Sequence, residues 1–121
     1  MILLDTNVLI EILKGNKTTI QRVENLHTTL SISSITVMEL YYGALNKAEI
    51  KKLEKFITLF TILHINTEIS IHSTELIKTY AKSHSLDIPD SLIAATALEK
   101  ALTLFTYNTK DFKYISHIKL L

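Results

Sequence analysis

Apolar residues fall along this chain in two rhythms. Short unbroken runs, Ile2–Leu4, Leu30–Ile32, Thr61–Ile65, Leu102–Tyr107 and Ile118–Leu121, have the length and β-branched content of buried strands. Between them apolar positions recur every three or four residues. Val8, Leu9, Ile10 and Leu13 predict a helix over Thr6–Lys14, ended by Gly15-Asn16. Ile20, Val23 and Leu26 predict a short helix from Lys17. Val37, Leu40, Tyr41, Ala44 and Leu45 form a stripe on a helix that begins near Ser33, Ser34 and Thr36. Lys47 to Thr61 is amphipathic, with Ile50, Leu53, Ile57 and Leu59 or Phe60 turned inward. Thr67–Ser83 carries Ile69, His72, Leu76 and Tyr80 on one side, Ser85–Pro89 is a loop, and Asp90–Ala101 is apolar almost all round, the mark of a central helix. Asn108–Phe112 is a turn or short helix. Strands that alternate with helices predict an α/β domain over residues 1–121. Its mostly parallel sheet of four to five strands is flanked by helices in three layers.

Composition narrows the chemistry. With two glycines, Gly15 and Gly43, no glycine-rich phosphate loop is available. The absence of Cys excludes disulfides and thiolate metal sites. No apolar run reaches membrane-spanning length, and Asp5 and Glu11 stand where a leader would be apolar, so a cytoplasmic protein is expected. A net charge of +1 is far from that of a dedicated nucleic-acid binder. Lys47, Lys51, Lys52 and Lys55, and Lys110, Lys113 and Lys119, read as solvated faces. His27, His64, His72, His84 and His117 have no metal-ligand spacing. Tyr41, Tyr42, Tyr80, Tyr107 and Tyr114 offer rings for stacking on bases, although Tyr41 belongs to a core stripe.

The acids carry the stronger signal. Asp5 ends the first strand, Glu39 lies in the first turns of the helix after the second and off its apolar stripe, Asp90 begins the central helix, and Asp111 follows the fourth strand. In a parallel sheet these places share one edge. Each has an ordinary explanation: Asp5 or Thr6 caps a helix, Thr36-x-x-Glu39 has capping-box spacing, and Asp87-x-x-Asp90 and Asn108-x-x-Asp111 repeat it. Together, four carboxylates on one edge raise each other's pKa unless a cation joins them. Oxygen ligands alone favour Mg²⁺ or Mn²⁺ over Zn²⁺. Such an ion can activate water and stabilise attack on a phosphodiester.

MILLDTNVLIE at the start, SSITVMELYYGA at 33–44 and DIPDSLIAATALEKALTLFTYNTKDF at 87–112 resemble the PIN-domain nucleases, above all the VapC toxins of toxin–antitoxin pairs. The resemblance covers the whole chain. It implies a PIN-like fold and an endoribonuclease dependent on Mg²⁺, for which Mn²⁺ may substitute. Asp5 and Asp90 would be the principal metal ligands, and Glu39 would complete the site or hold a metal-bound water. Asp111 is favoured over Asn108 as the fourth residue, with Thr6 as a supporting hydroxyl and Asp87 as a helix cap. Also implied are a VapB-type antitoxin that blocks the site, an RNA substrate, often a tRNA in this family, and a homodimer. Two rivals stand beside this reading. One is a catalytically silent PIN-like binding module. The other is an acidic-pocket signalling receiver domain, which needs an Asp after the third strand where this chain has Ile65-Asn66-Thr67-Glu68.

Overall fold

The computed structural model describes all 121 residues. In chain order the elements are β1 (Ile2–Leu4), α1 (Thr6–Leu13), α2 (Lys17–Glu24), β2 (Leu30–Ser33), α3 (Ser34–Tyr42), α4 (Lys47–Ile57), β3 (Thr61–Leu63), α5 (Thr67–His84), α6 (Ile88–Glu99), β4 (Thr103–Phe105), a 3-10 turn at Thr109–Asp111, and β5 (Lys119–Leu120). The five strands form one sheet in the order β3-β2-β1-β4-β5. Every pairing is parallel.

Alternation along the strands makes the layers. Leu3 pairs with Leu104, and Leu4 with Phe105. The first pair enters a core with Ile69, Leu76, Ile93 and Phe112, under α5 and α6. The second enters a core with Val8, Val23, Ile32, Leu40 and Leu53, under α1 to α4. A sheet covered on both faces explains why its strands read as unbroken apolar runs. α6 is central as predicted: Ser91, Ile93, Ala94, Ala95, Thr96 and Ala97 are all buried. Its tightest neighbour is α5, to which the buried Ser73 and Ser91 hydroxyls are joined at 2.6 Å.

The chain winds outward from β1 through β2 to β3, then crosses back over α5 and α6 to place β4 on the other side of β1. The winding direction therefore reverses between β1 and β4. The carboxyl ends of these two strands flank the crevice that such a reversal opens.

Several boundaries differ from the pattern's prediction. α3 stops at Tyr42, and Leu45, expected on its stripe, is 86% exposed. Gly43 caps that helix and α4 starts afresh at Asn46, whose side chain accepts from Glu49 N. α4 ends at Ile57, so Leu59 lies outside it and is exposed, while Phe60 packs on the core. α6 begins at Ile88, not Asp90, because Pro89 is accommodated in a first turn that has no use for its missing N–H. The strands are shorter than their apolar runs: Thr61–Ile65 pairs only to Leu63, and Leu102–Tyr107 only over Thr103–Phe105. No helix is long and apolar enough to cross a membrane.

Candidate active site

Asp5 sits where β1 passes into α1. Its backbone N–H donates to Phe105 O at 2.9 Å, which continues the β1–β4 ladder by one step. Its extended φ and ψ of −73° and 156° make it, and not Thr6, the N-cap of α1. The side chain is only 5% exposed. Oδ1 accepts from Thr6 N at 2.8 Å, and Oδ2 accepts from the Thr106 hydroxyl at 2.7 Å. Burial pushes its pKa up. The two hydrogen bonds oppose that rise, and the charges of Glu39 and Asp111 add to it.

Thr106 stands next to Asp5 across the β1–β4 crevice and was not singled out in the sequence. Its hydroxyl accepts from Asn108 N at 3.0 Å and from Asn7 Nδ2 at 3.4 Å while donating to Asp5. The signal for it was a hydroxyl ending an apolar strand in the register place of Asp5. That register is legible only once β1 and β4 are known to pair.

Glu39 lies on the exposed side of α3, in its second turn. The capping box suggested by Thr36-x-x-Glu39 does not form. Ser33 is the N-cap of α3, its hydroxyl accepting from Ile35 N at 3.1 Å, and Thr36 is already inside the helix and buried. Thr6, freed from capping, donates its single hydroxyl proton to Glu39 Oε1 at 2.7 Å. Thr36 Oγ1 lies 2.9 Å from the same hydroxyl and must therefore be the donor to it. The chain Thr36–Thr6–Glu39 fixes the Glu39 carboxylate beside the end of β1.

Asp90 is in the first turn of α6, and Asp87 is that helix's cap, accepting from Asp90 N at 2.9 Å. Burial and then the charges of Asp87, Asp5, Asp111 and Glu39 push the pKa of Asp90 up to about 7. Asp111 closes the 3-10 turn after β4, half-buried, and its charge acts on both Asp5 and Asp90. The four acids predicted to converge thus stand within electrostatic reach of one another. Asn108 reaches the site through its backbone, its N–H donating to Thr106 Oγ1 at 3.0 Å. Its side chain makes no cap and instead lines a separate hollow with Asn7 and Tyr107. Tyr114 borders the acid edge, its pKa raised by burial and by Asp90, Asp111 and Asp87, with its ring stacked on His84 at 4.2 Å.

No lysine or arginine neutralises this edge. The ion pairs of the molecule, Lys14–Glu11, His72–Glu99 and Lys78–Glu75, all lie elsewhere. Lys47, Lys51, Lys52 and Lys55 are exposed along α4, as a solvated face should be. A carboxylate-only donor set without a protein cation, Asp5 buried, Asp90 and Asp111 half-buried and Glu39 exposed, suits a hard divalent ion such as Mg²⁺ or Mn²⁺. No three of these side chains are drawn close enough together to hold an ion as they stand. Hydrogen bonds hold the Asp5 and Glu39 carboxylates to Thr106 and Thr6.

Comparison with known proteins bears on the family and the fold. The PIN domain family model matches residues 2–118. The chain is 32% identical to the tRNA(fMet)-specific endonuclease VapC of Salmonella typhimurium, over 98% of this chain and 94% of that protein. It is 34% identical to ribonuclease VapC1 of Methanocaldococcus jannaschii, over 98% of this chain and 84% of that one. Among solved structures, VapBC2 from Rickettsia felis bound to a promoter DNA fragment superposes with a TM-score of 0.84 at 32% identity, covering 100% of this chain and 98% of that one. This excludes the receiver-domain alternative, since match, fold and acidic edge point one way: the chain belongs to the VapC family of PIN-domain proteins.

Proposed function

We propose that this protein is a Mg²⁺-dependent endoribonuclease, the toxin of a type II toxin–antitoxin pair. The observation that carries the reading is the acidic edge at the β1–β4 crevice, where Asp5, Glu39, Asp90 and Asp111 lie together with no protein cation among them. Relatives named as ribonucleases and solved toxin–antitoxin complexes of the same fold support it.

Asp5 and Asp90 are the principal ligands, and Asp111 completes the set beside them. When bound, Mg²⁺ or Mn²⁺ supplies positive charge at the phosphorus under attack and activates water. The protein's own part is positional. Thr6 and Thr106 hold the Glu39 and Asp5 carboxylates in fixed rotamers, so little reorganisation is left for the reacting state. The Glu39 carboxylate then orients the attacking water. Exposed Lys110 and Lys113, on either side of Asp111, attract the RNA backbone. The partner is a VapB-type antitoxin that covers this edge, and the toxin acts in the cytoplasm as a homodimer. A tRNA is the substrate class of the Salmonella relative and the first to try.

The test is cleavage of a mixed tRNA pool by purified protein with Mg²⁺, with Mn²⁺ and with EDTA. Discrete fragments that need metal are expected. Absence of any cut across tRNA, ribosomal and messenger RNA favours the silent binding module. A finer test is Thr6→Val, which keeps the shape of the side chain but removes the donor to Glu39. About a tenfold fall in cleavage rate is expected, equivalent to one lost hydrogen bond to a charged group of about 1.5 kcal/mol. Thr6→Ser restores the donor and the rate. Equal rates in all three proteins would detach Thr6 from the reaction.

A further inference from the structure

Beside the acidic edge, on the α1–α2 side, lies a hollow of about 430 Å³ lined by Tyr107 and six residues of polar type. It shares structure with the site. Asn7 follows Thr6 directly; its Nδ2 donates to Thr106 Oγ1 at 3.4 Å, and its Oδ1 accepts from Tyr107 N at 3.2 Å. Asn108 lines the same hollow. Opposite stand Asn16 and Thr19. Tyr107 is 42% exposed yet held at both ends: its hydroxyl is 2.6 Å from Thr19 Oγ1, and its ring packs edge-on against Phe105 at 5.3 Å. A fixed, exposed aromatic ring beside a candidate phosphodiester site is a stacking platform.

The hollow's one charged wall is anionic. Glu11 accepts from Asn16 Nδ2 at 3.0 Å and lies 3.5 Å from Lys14. A carboxylate there repels phosphate and accepts from the exocyclic amino group of cytosine, adenine or guanine, whereas uracil offers it only N3–H, flanked by two carbonyl oxygens that it repels. The Asn108 amide, which makes no cap, offers a donor and an acceptor to a base edge, while Asn7 and Asn16, already bonded to Thr106, Tyr107, Glu11 and Thr19, each keep one amide proton for it.

We propose that this hollow is a base-recognition subsite: it takes an unpaired, amino-bearing nucleobase next to the scissile phosphate, stacked on Tyr107 and read by Glu11. The proposal rests on the ribonuclease reading for its location, not for its chemistry, and the two can fail separately. Binding of the four ribonucleosides, which carry no phosphate and need no metal, is measured by saturation-transfer NMR in EDTA. Cytidine, adenosine and guanosine are expected to contact the protein, with uridine at least about threefold weaker, less than the loss of a whole hydrogen bond to a charged acceptor because uracil N3–H can still donate. Glu11→Gln should erase that difference, because the amide can donate to a carbonyl. Tyr107→Ala should weaken all four about tenfold or more through lost stacking. Glu11→Gln is a surface change that spares the fold, so the result does not depend on the tyrosine variant folding. Absence of contact from every nucleoside overturns the proposal, as does equal uridine binding in the wild type or an unchanged preference in Glu11→Gln. Nucleoside selectivity without cleavage of any RNA leaves the subsite standing and removes the nuclease reading. Cleavage of a hairpin library with a randomised loop, showing the same base preference in wild type and Glu11→Gln, does the reverse.

Discussion

Asp5→Asn reduces metal-dependent RNA cleavage at least about 100-fold while the protein stays folded, because a cation held at the active edge supplies several kcal/mol of charge stabilisation and each 1.36 kcal/mol is a factor of ten. The substitution is isosteric, so the Thr6 N–H keeps an acceptor. The change is felt on the other oxygen. An amide NH₂ there faces the Thr106 hydroxyl, which now donates to Asp5 while accepting from Asn108 N and Asn7 Nδ2. That hydroxyl must turn, and the buried negative charge is gone. Because Asp5 is 5% exposed and its pKa is raised by burial, losing the charge relieves a desolvation penalty and does not unfold the domain. The check is a single-turnover cleavage rate beside a thermal unfolding curve. Wild-type cutting by Asp5→Asn would move the chemistry elsewhere. A loss of both folding and activity would make Asp5 a cap first and a ligand second.

The second large effect is a linkage between protons, metal and stability at Asp90. In the folded protein its pKa is raised to about 7 by burial and then by Asp87, Asp5, Asp111 and Glu39. In the unfolded chain it returns to about 4. Between those values the folded state keeps a proton that the unfolded state has lost. The stability of the metal-free protein therefore falls as pH rises from about 4 to about 7 and is level above that. Asp5, raised in the same direction, adds to the slope. After allowance for solvent around a half-buried carboxylate, the effect is about 1–2 kcal/mol, or about 4–8 °C in melting temperature. Asp90→Asn should flatten this profile and melt higher than wild type in EDTA at pH 7.5. Mg²⁺ should raise the wild-type melting temperature at pH 7.5 more than at pH 5, where protons compete for the same oxygens, and should do little for the variant. Calorimetric scans at the two pH values, with Mg²⁺ and with EDTA, decide it. A rising stability from pH 4 to 7 in EDTA, or an equal Mg²⁺ response in both proteins, would contradict the assignment of Asp90 as a ligand. A gain in stability bought by removing a site carboxylate is the usual sign that the residue is kept for function.

By itself, the order of residues determined the class of fold and the residues from which a site had to be chosen. Unbroken apolar runs such as Ile2–Leu4 between helical periods can be satisfied only by strands covered on both faces, and the sheet has that form. Asp5, Glu39, Asp90 and Asp111 were legible as a set because parallel strands send their ends to one edge, whatever the strand order. Local signals with local causes also read correctly: Asp87 caps α6, and α1 gives out just before Gly15, whose φ of 80° suits glycine. The tertiary structure alone decided whatever depends on partners distant in sequence. It took Thr6 and Thr36 out of the capping roles their spacing suggested and joined Thr6 to Glu39 and Thr36 to Thr6, because α3 packs beside the end of β1. It brought Thr106 to Asp5, 101 residues away, because β4 pairs with β1 and not with its sequence neighbour β3. It set Asn108 in the hollow with Asn7 and Tyr107, and Asp111, three residues on at the end of a 3-10 turn, where its charge acts on Asp5 and Asp90. Periodicity records which face of an element is buried. It carries no record of which elements meet, and at this site the hydrogen bonds run between elements.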